Sequence, residues 1–101
     1  MHEAVRDDQI ILLEVTGHAE SAESGKDLVC SAVSAVMFGL CNALDEMKTG
    51  CAITVDENRI RIETVRNSAK MQTILNTGII QLRTIQETNR KYIRITRTEE
   101  Q

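Results

Sequence analysis

The hydrophobic period of this chain switches repeatedly between two and three-to-four residues, and that succession constrains the fold more than any other feature. Ile10-Ile11-Leu12-Leu13-Glu14-Val15-Thr16 is an apolar, β-rich run that Gly17 ends, as expected of a strand covered on at least one face by a helix. From Leu28 to about Lys48, Val29, Val33, Val36, Leu40, Ala43, Leu44 and Met47 recur every three or four residues, which predicts a long helix with one buried stripe. Asp27 is placed to cap its start, and Lys48 followed by Gly50 reads as its end. Ala52–Val55 and Ile60–Val65 then alternate around Asp56-Glu57-Asn58-Arg59, which predicts a hairpin.

Asn67-Ser68 can cap a second helix carrying Met71, Ile74, Leu75, Ile79, Leu82 and Ile85. Gly78 in its middle costs about 1 kcal/mol relative to alanine, and close packing against another element accounts for it. Tyr92–Arg97 alternates again and is expected as a last strand, followed by a fraying Glu99-Glu100-Gln101 tail. At the other end, Ala4-Val5 suits only a brief edge strand, with Arg6-Asp7-Asp8-Gln9 as its turn. The order is therefore (β)βαββαβ, an α+β fold in which two helices pack on a mixed sheet of four to five strands. With 101 residues, no proline, no repeat and no linker, residues 1-101 are expected to form a single domain.

Composition narrows the function. Phe38 and Tyr92 are the only aromatic residues and the net charge is -3, so stacking platforms and a basic excess are both lacking. Direct nucleic-acid binding is disfavoured, and the basic residues Arg90, Lys91, Arg94 and Arg97 read as a solvated face. Three cysteines do not make a disulfide framework. No basic-plus-apolar leader is evident, and no apolar run approaches the roughly 20 residues that cross a bilayer. The expected setting is cytoplasmic, away from membranes.

Chemistry gathers around residues 17–34. Cys30, in the third helical position after an Asp27 cap, would lie among free amides and the positive end of the helix dipole, which favour a thiolate. Most free cysteines are simply small buried hydrophobes, and that is the competing reading. His18, at the end of the first long strand, can take the thiol proton and return it to a leaving amine. Gly17 permits a turn or a close approach to substrate. Asp27 can cap the helix, orient His18, or do both. Ser34 falls one turn beyond Cys30 and suits local hydrogen bonding, whereas Ser31 points about 100° away. Cys41 is about 16 Å along the helix from Cys30, too far to share a metal, and no C-x-x-C pair exists. Cys41 and Cys51 read as core thiols and His2 as an exposed terminal residue. No cofactor or metal is called for.

Thr16-Gly17-His18-Ala19, the bridge through Lys26 with its Gly25, and Asp27-Leu28-Val29-Cys30-Ser31-Ala32-Val33-Ser34 closely resemble the signature of the bacterial ribosomal-processing cysteine proteases (Prp, YsxB-like). The twelve-residue interval from His18 to Cys30 matches as well, and the resemblance continues to the Tyr92–Thr96 stretch. It implies a cytoplasmic, homodimeric, metal-free endopeptidase. Its substrate would be the N-terminal peptide of a large-subunit ribosomal protein, the twenty-seventh of the series, from which it removes a short extension. Cys30 then matches the nucleophile, His18 the general base, Asp27 the acidic motif residue, Gly17 the glycine before the histidine and Ser34 the helix serine. The bridge Ala19–Lys26 matches a loop that closes over substrate. A non-catalytic ribosome-associated binding module is the alternative, and a thiol redox protein is disfavoured by the lack of a resolving cysteine near Cys30.

Overall fold

The structure, a computed structural model, describes the backbone of residues 1–16 and 24–100 and the side chains of residues 1–16 and 28–100. Its elements are β1 (His2–Arg6), β2 (Gln9–Thr16), α1 (Ser24–Glu46), β3 (Cys51–Val55), β4 (Arg59–Thr64), α2 (Ala69–Glu87) and β5 (Thr96–Glu100). They form one sheet in the order β3-β4-β2-β1-β5. All pairs are antiparallel except β1 with β5, so the sheet is mixed. Leu13, Ile62, Met37, Leu44, Met71, Leu75 and Leu82 fill the space between sheet and helices and are essentially inaccessible to solvent.

The N-terminus forms a full strand, and it is interior. β1 lies between β2 and β5, where the sequence suggests only a brief edge strand. Asp7 and Asp8, at φ 51° and 62°, form the two-residue turn between Arg6 and Gln9. Both central residues of such a turn need positive φ, which the short polar side chain of aspartate tolerates. The interior position buries Glu3, 2% exposed, whose Oε1 meets Arg83 of α2 and Arg97 of β5 at 3.4 Å each.

The last strand is displaced towards the C-terminus. Tyr92–Ile95 connects α2 to β5, with Ile93 buried, and Thr96–Glu100 pairs in parallel with β1. Alternation at 92–95 reports mainly side-chain packing, and pairing with the N-terminus reaches back to this stretch, where Met1 N donates to Arg94 O at 2.9 Å and Thr96 N–H to Met1 O at 3.0 Å. Arg97 on Glu3 and Arg6 on Glu100 (3.3 Å) hold down the tail expected to fray.

The end of α1 also differs from expectation. Thr49 N–H donates to Leu44 O and Lys48 N–H to Asp45 O, both at 3.1 Å, with Lys48 itself at φ 53°. This is the Schellman pattern with lysine at the left-handed position, so Lys48 lies outside the helix and Met47 turns to solvent. Leu28–Glu46, with mean hydropathy 1.7, is by length and composition apolar enough to cross a membrane, which inspection for unbroken apolar runs misses. Here its Met37–Leu44 stripe packs into the core.

Two features lock α2 to the sheet and to α1. Ser68 Oγ accepts from Met71 N–H at 3.1 Å, as its capping position predicts. A Cβ on Gly78 would stand 2.7 Å from a methyl of Leu40, so the absence of a side chain is what lets α1 approach. On the sheet side, Val5 pairs with Ile10 and Ala4 with Leu12, leaving Ile11 as the extra residue of a bulge. Beyond Thr64, where β4 ends, Ile10 has no strand partner on that side. Gln72 takes its place: Oε1 accepts from Ile10 N–H at 2.8 Å and Nε2 donates to Ile10 O at 2.9 Å. A side-chain amide carries a donor and an acceptor, like a peptide group, and here it adds a rung to the ladder. Gln72→Leu keeps the volume but leaves Ile10 N–H buried without a partner. It is expected to lower stability by about 1–3 kcal/mol in urea unfolding.

Candidate active site

α1 starts four residues before Leu28, the first helical residue implied by an Asp27 cap. Asp27 is therefore an internal residue of the first turn and not the N-cap. Nothing in Ser24-Gly25-Lys26 breaks a helix outright, since Gly25 costs only about 1 kcal/mol, so the helix extends backwards. Cys30 becomes the seventh helical residue. The free amides belong to the first turn and the dipole effect fades within it, so the helix terminus does not by itself activate this thiol.

The flank that carries Cys30 follows from helix periodicity. Val33, Met37 and Leu44 face the core, while Ala35, Gly39 and Ala43 line a groove of about 540 Å³ against α2. Stepping round the helix at about 100° per residue, Cys30, Cys41, Ser34 and Phe38 fall on the opposite flank, away from α2. Cys41 is buried there beside Cys51, the first residue of β3. The four-residue connection Met47–Gly50 makes β3 run back along α1. From that shared point Cys30 is about 16 Å up the helix, and Val55 is about 13 Å up the strand. Cys30 thus lies over the Val55 end of β3, half-buried.

The same end of the sheet is where β2 finishes. Thr16 pairs with Arg59, and Val55 with Ile60. Gly17, His18 and the bridge Ala19–Glu23 lie outside the described residues, as do the side chains from Ser24 to Asp27. Ser34 is exposed one turn beyond Cys30 on the same flank, and Ser31 is exposed farther round. His2 in β1 pairs with Glu14 at the same end of the sheet, on the far side of β2 from β3, with Nδ1 2.8 Å from Thr96 Oγ1. Sequence reasoning does not reveal the exposed apolar surface here: Val55 is 53% and Phe38 49% exposed. The signal was present in a β3 without charge and in a phenylalanine off the buried stripe.

Burial, and secondarily the neighbouring Cys51, pushes the Cys41 thiol above its ordinary value of 9.0. The folded protein therefore holds that proton more tightly than the unfolded chain does. Its contribution to stability is complete below pH 9 and is lost as the pH rises through the raised value.

Comparison with known proteins places this geometry. The family model described as cysteine protease Prp matches residues 2–94. The ribosomal processing cysteine protease Prp of Staphylococcus aureus is 37% identical over 83 residues, covering 78% of each chain. A solved structure of the S. aureus protease with a substrate peptide superimposes with a TM-score of 0.89 at 30% identity, covering 96% of each chain. A second, with a covalently linked product peptide, gives 0.86 at 31% identity and the same coverage. The chain is a cysteine protease. It belongs to the Prp family of ribosomal-processing cysteine proteases.

The three thiols should differ sharply in reactivity. At pH 8, iodoacetamide is expected to modify Cys30 first and Cys51 more slowly, and to reach Cys41 only on unfolding. Peptide mapping by mass spectrometry reads that order.

Proposed function

We propose that this protein removes the N-terminal extension of the twenty-seventh large-subunit ribosomal protein, with Cys30 as nucleophile and His18 as general base. The observation that carries the reading is the position of Cys30, half-buried over an open sheet corner and beyond the reach of the helix terminus. A thiol so placed needs a neighbouring base to be nucleophilic at neutral pH, and His18 follows the strand that ends at this corner.

His18 accepts the thiol proton and the thiolate attacks the scissile carbonyl carbon. The tetrahedral intermediate collapses as the imidazolium protonates the departing amine, leaving a thioester on Cys30. Water, deprotonated by His18, then hydrolyses the thioester and restores the thiol. Gly17 lets backbone approach the peptide closely, Asp27 orients His18 from the first turn of α1, and Ser34 contacts substrate on the flank of Cys30. The bridge Ala19–Lys26 closes over the bound peptide. The enzyme works without metal in the cytoplasm as a homodimer. The S. aureus relative, solved with substrate and with covalently linked product peptide, supports peptide-bond chemistry at this fold.

Cleavage of a synthetic peptide carrying that ribosomal N-terminus, followed by mass spectrometry, tests the assignment. Cys30→Ala is expected to abolish turnover, and His18→Ala to lower kcat/KM by about 10²–10⁴-fold. Stoichiometric binding without turnover by the wild type would mark a binding module instead.

A further inference from the structure

We propose that the outer edge of β3 receives the substrate as an added strand and leads its scissile bond to Cys30. This rests on the protease reading above and supplies its binding subsite. Asp56 N–H donates to Arg59 O at 2.7 Å, so this pair is hydrogen-bonded. Hydrogen-bonded pairs alternate along an antiparallel ladder, which makes Thr54–Arg61 and Ala52–Glu63 the next two. Cys51, Ile53 and Val55 therefore aim their N–H and C=O groups away from β4. Among the described residues nothing accepts or donates to them, and β3 has no second neighbour in the sheet.

This edge carries none of the devices that discourage pairing. Cys51-Ala52-Ile53-Thr54-Val55 contains no charge and no proline, and its ladder has no bulge. The opposite edge, β5, reads Thr-Arg-Thr-Glu-Glu and is exposed throughout. Like that strand, edges normally use charge to stay unpaired, so a neutral and regular edge is the exception that invites a strand.

Position selects the occupant. The flank of α1 that bears Cys30, Ser34 and Phe38 overhangs β3, and Cys30 lies over the end at which Val55 leaves the ladder. An extended peptide bonded to Cys51, Ile53 and Val55 runs along this flank and passes the thiol. Its alternate side chains turn towards Phe38, so the edge fits a neutral peptide with apolar residues at every second position. A second copy of the chain paired at the same edge would cover Val55 and obstruct the route to Cys30.

The test is a scan of the ribosomal N-terminal peptide in which one backbone amide at a time is N-methylated. With the wild-type protein, kcat/KM is expected to fall about tenfold at every second amide of the docked stretch and little between. Cleavage without that alternation overturns the edge proposal and leaves the protease reading standing. No cleavage of the unmethylated peptide overturns both. Val55→Pro provides an independent arm, because the lost N–H faces outwards and no bond to β4 is removed. If the variant melts cooperatively, an approximately tenfold rise in KM supports the proposal and an unchanged KM overturns it. Conversion of a dimer to a monomer by Val55→Pro in sedimentation, with KM unchanged, assigns the edge to a second copy and also overturns it.

Discussion

The clasp of Gln72 on Ile10 is the contact on which the rest of the architecture depends. β2 is the central strand of the sheet, and its bulge leaves Ile10 facing the space where β4 has already ended. A buried N–H and C=O at that point need partners, and a strand cannot supply them because the chain must turn there into α2. Gln72 meets both groups, and Thr64 Oγ1 donates a further bond to Ile10 O at 2.9 Å. Asn67 Oδ1 accepts from the second hydrogen of Gln72 Nε2, also at 2.9 Å, so the amide is fully used. One side chain thus fixes both the depth and the rotation of α2 against the sheet.

From that anchored helix the placement of Cys30 follows by packing. α2 presents Gly78 to Leu40, and the missing Cβ sets how near α1 can come. Met37 and Leu44 then settle on the sheet. With its α2-facing and sheet-facing sides occupied, α1 has one remaining flank next to the structure, the one above β3. Cys30 is on it. The position of Cys30 is therefore set by three aliphatic contacts and a glycine, none of which touches it.

Much of this was legible in the sequence because it was written in period and capping. Both helices, the β3–β4 hairpin, the Ser68 cap and the reason for Gly78 were all readable from residue spacing. The errors share a physical cause. The start of α1, the extent of β1 and the register of β5 are decided by partners distant in the chain. Glu3 is buried where Arg83 and Arg97 reach it, and Glu99 and Glu100 are ordered because they pair with Val5 and Arg6 of β1. Charged residues at a terminus read locally as solvated, and pairing across 80 or 94 residues has no local signature. The clasp of Gln72 was invisible for the same reason: a glutamine on a helix declares nothing about a bulge sixty residues earlier. Cys30 was recognisable as a candidate from its motif. The helix terminus does not activate it, since α1 begins a turn earlier than an Asp27 cap implies.

That displaced helix start changes what makes the cysteine special. Three thiols share one fold, and two of them, Cys41 and Cys51, meet where α1 and β3 come together at their far ends. Burial keeps Cys41 protonated and out of reach, which removes it as a competing nucleophile. Cys30 is on the same flank but three turns higher, where the cover of the sheet runs out at Val55. The distinction between an inert and a reactive thiol is thus made by distance along a single helix stripe. The same stripe that packs a core cysteine against the start of β3 carries Cys30, the proposed nucleophile, towards the other end of that strand. Once the helix dipole no longer accounts for activation, the proposed role of Cys30 calls for a base from outside α1. The uncharged edge of β3 then becomes the surface at this corner on which a peptide can be aligned.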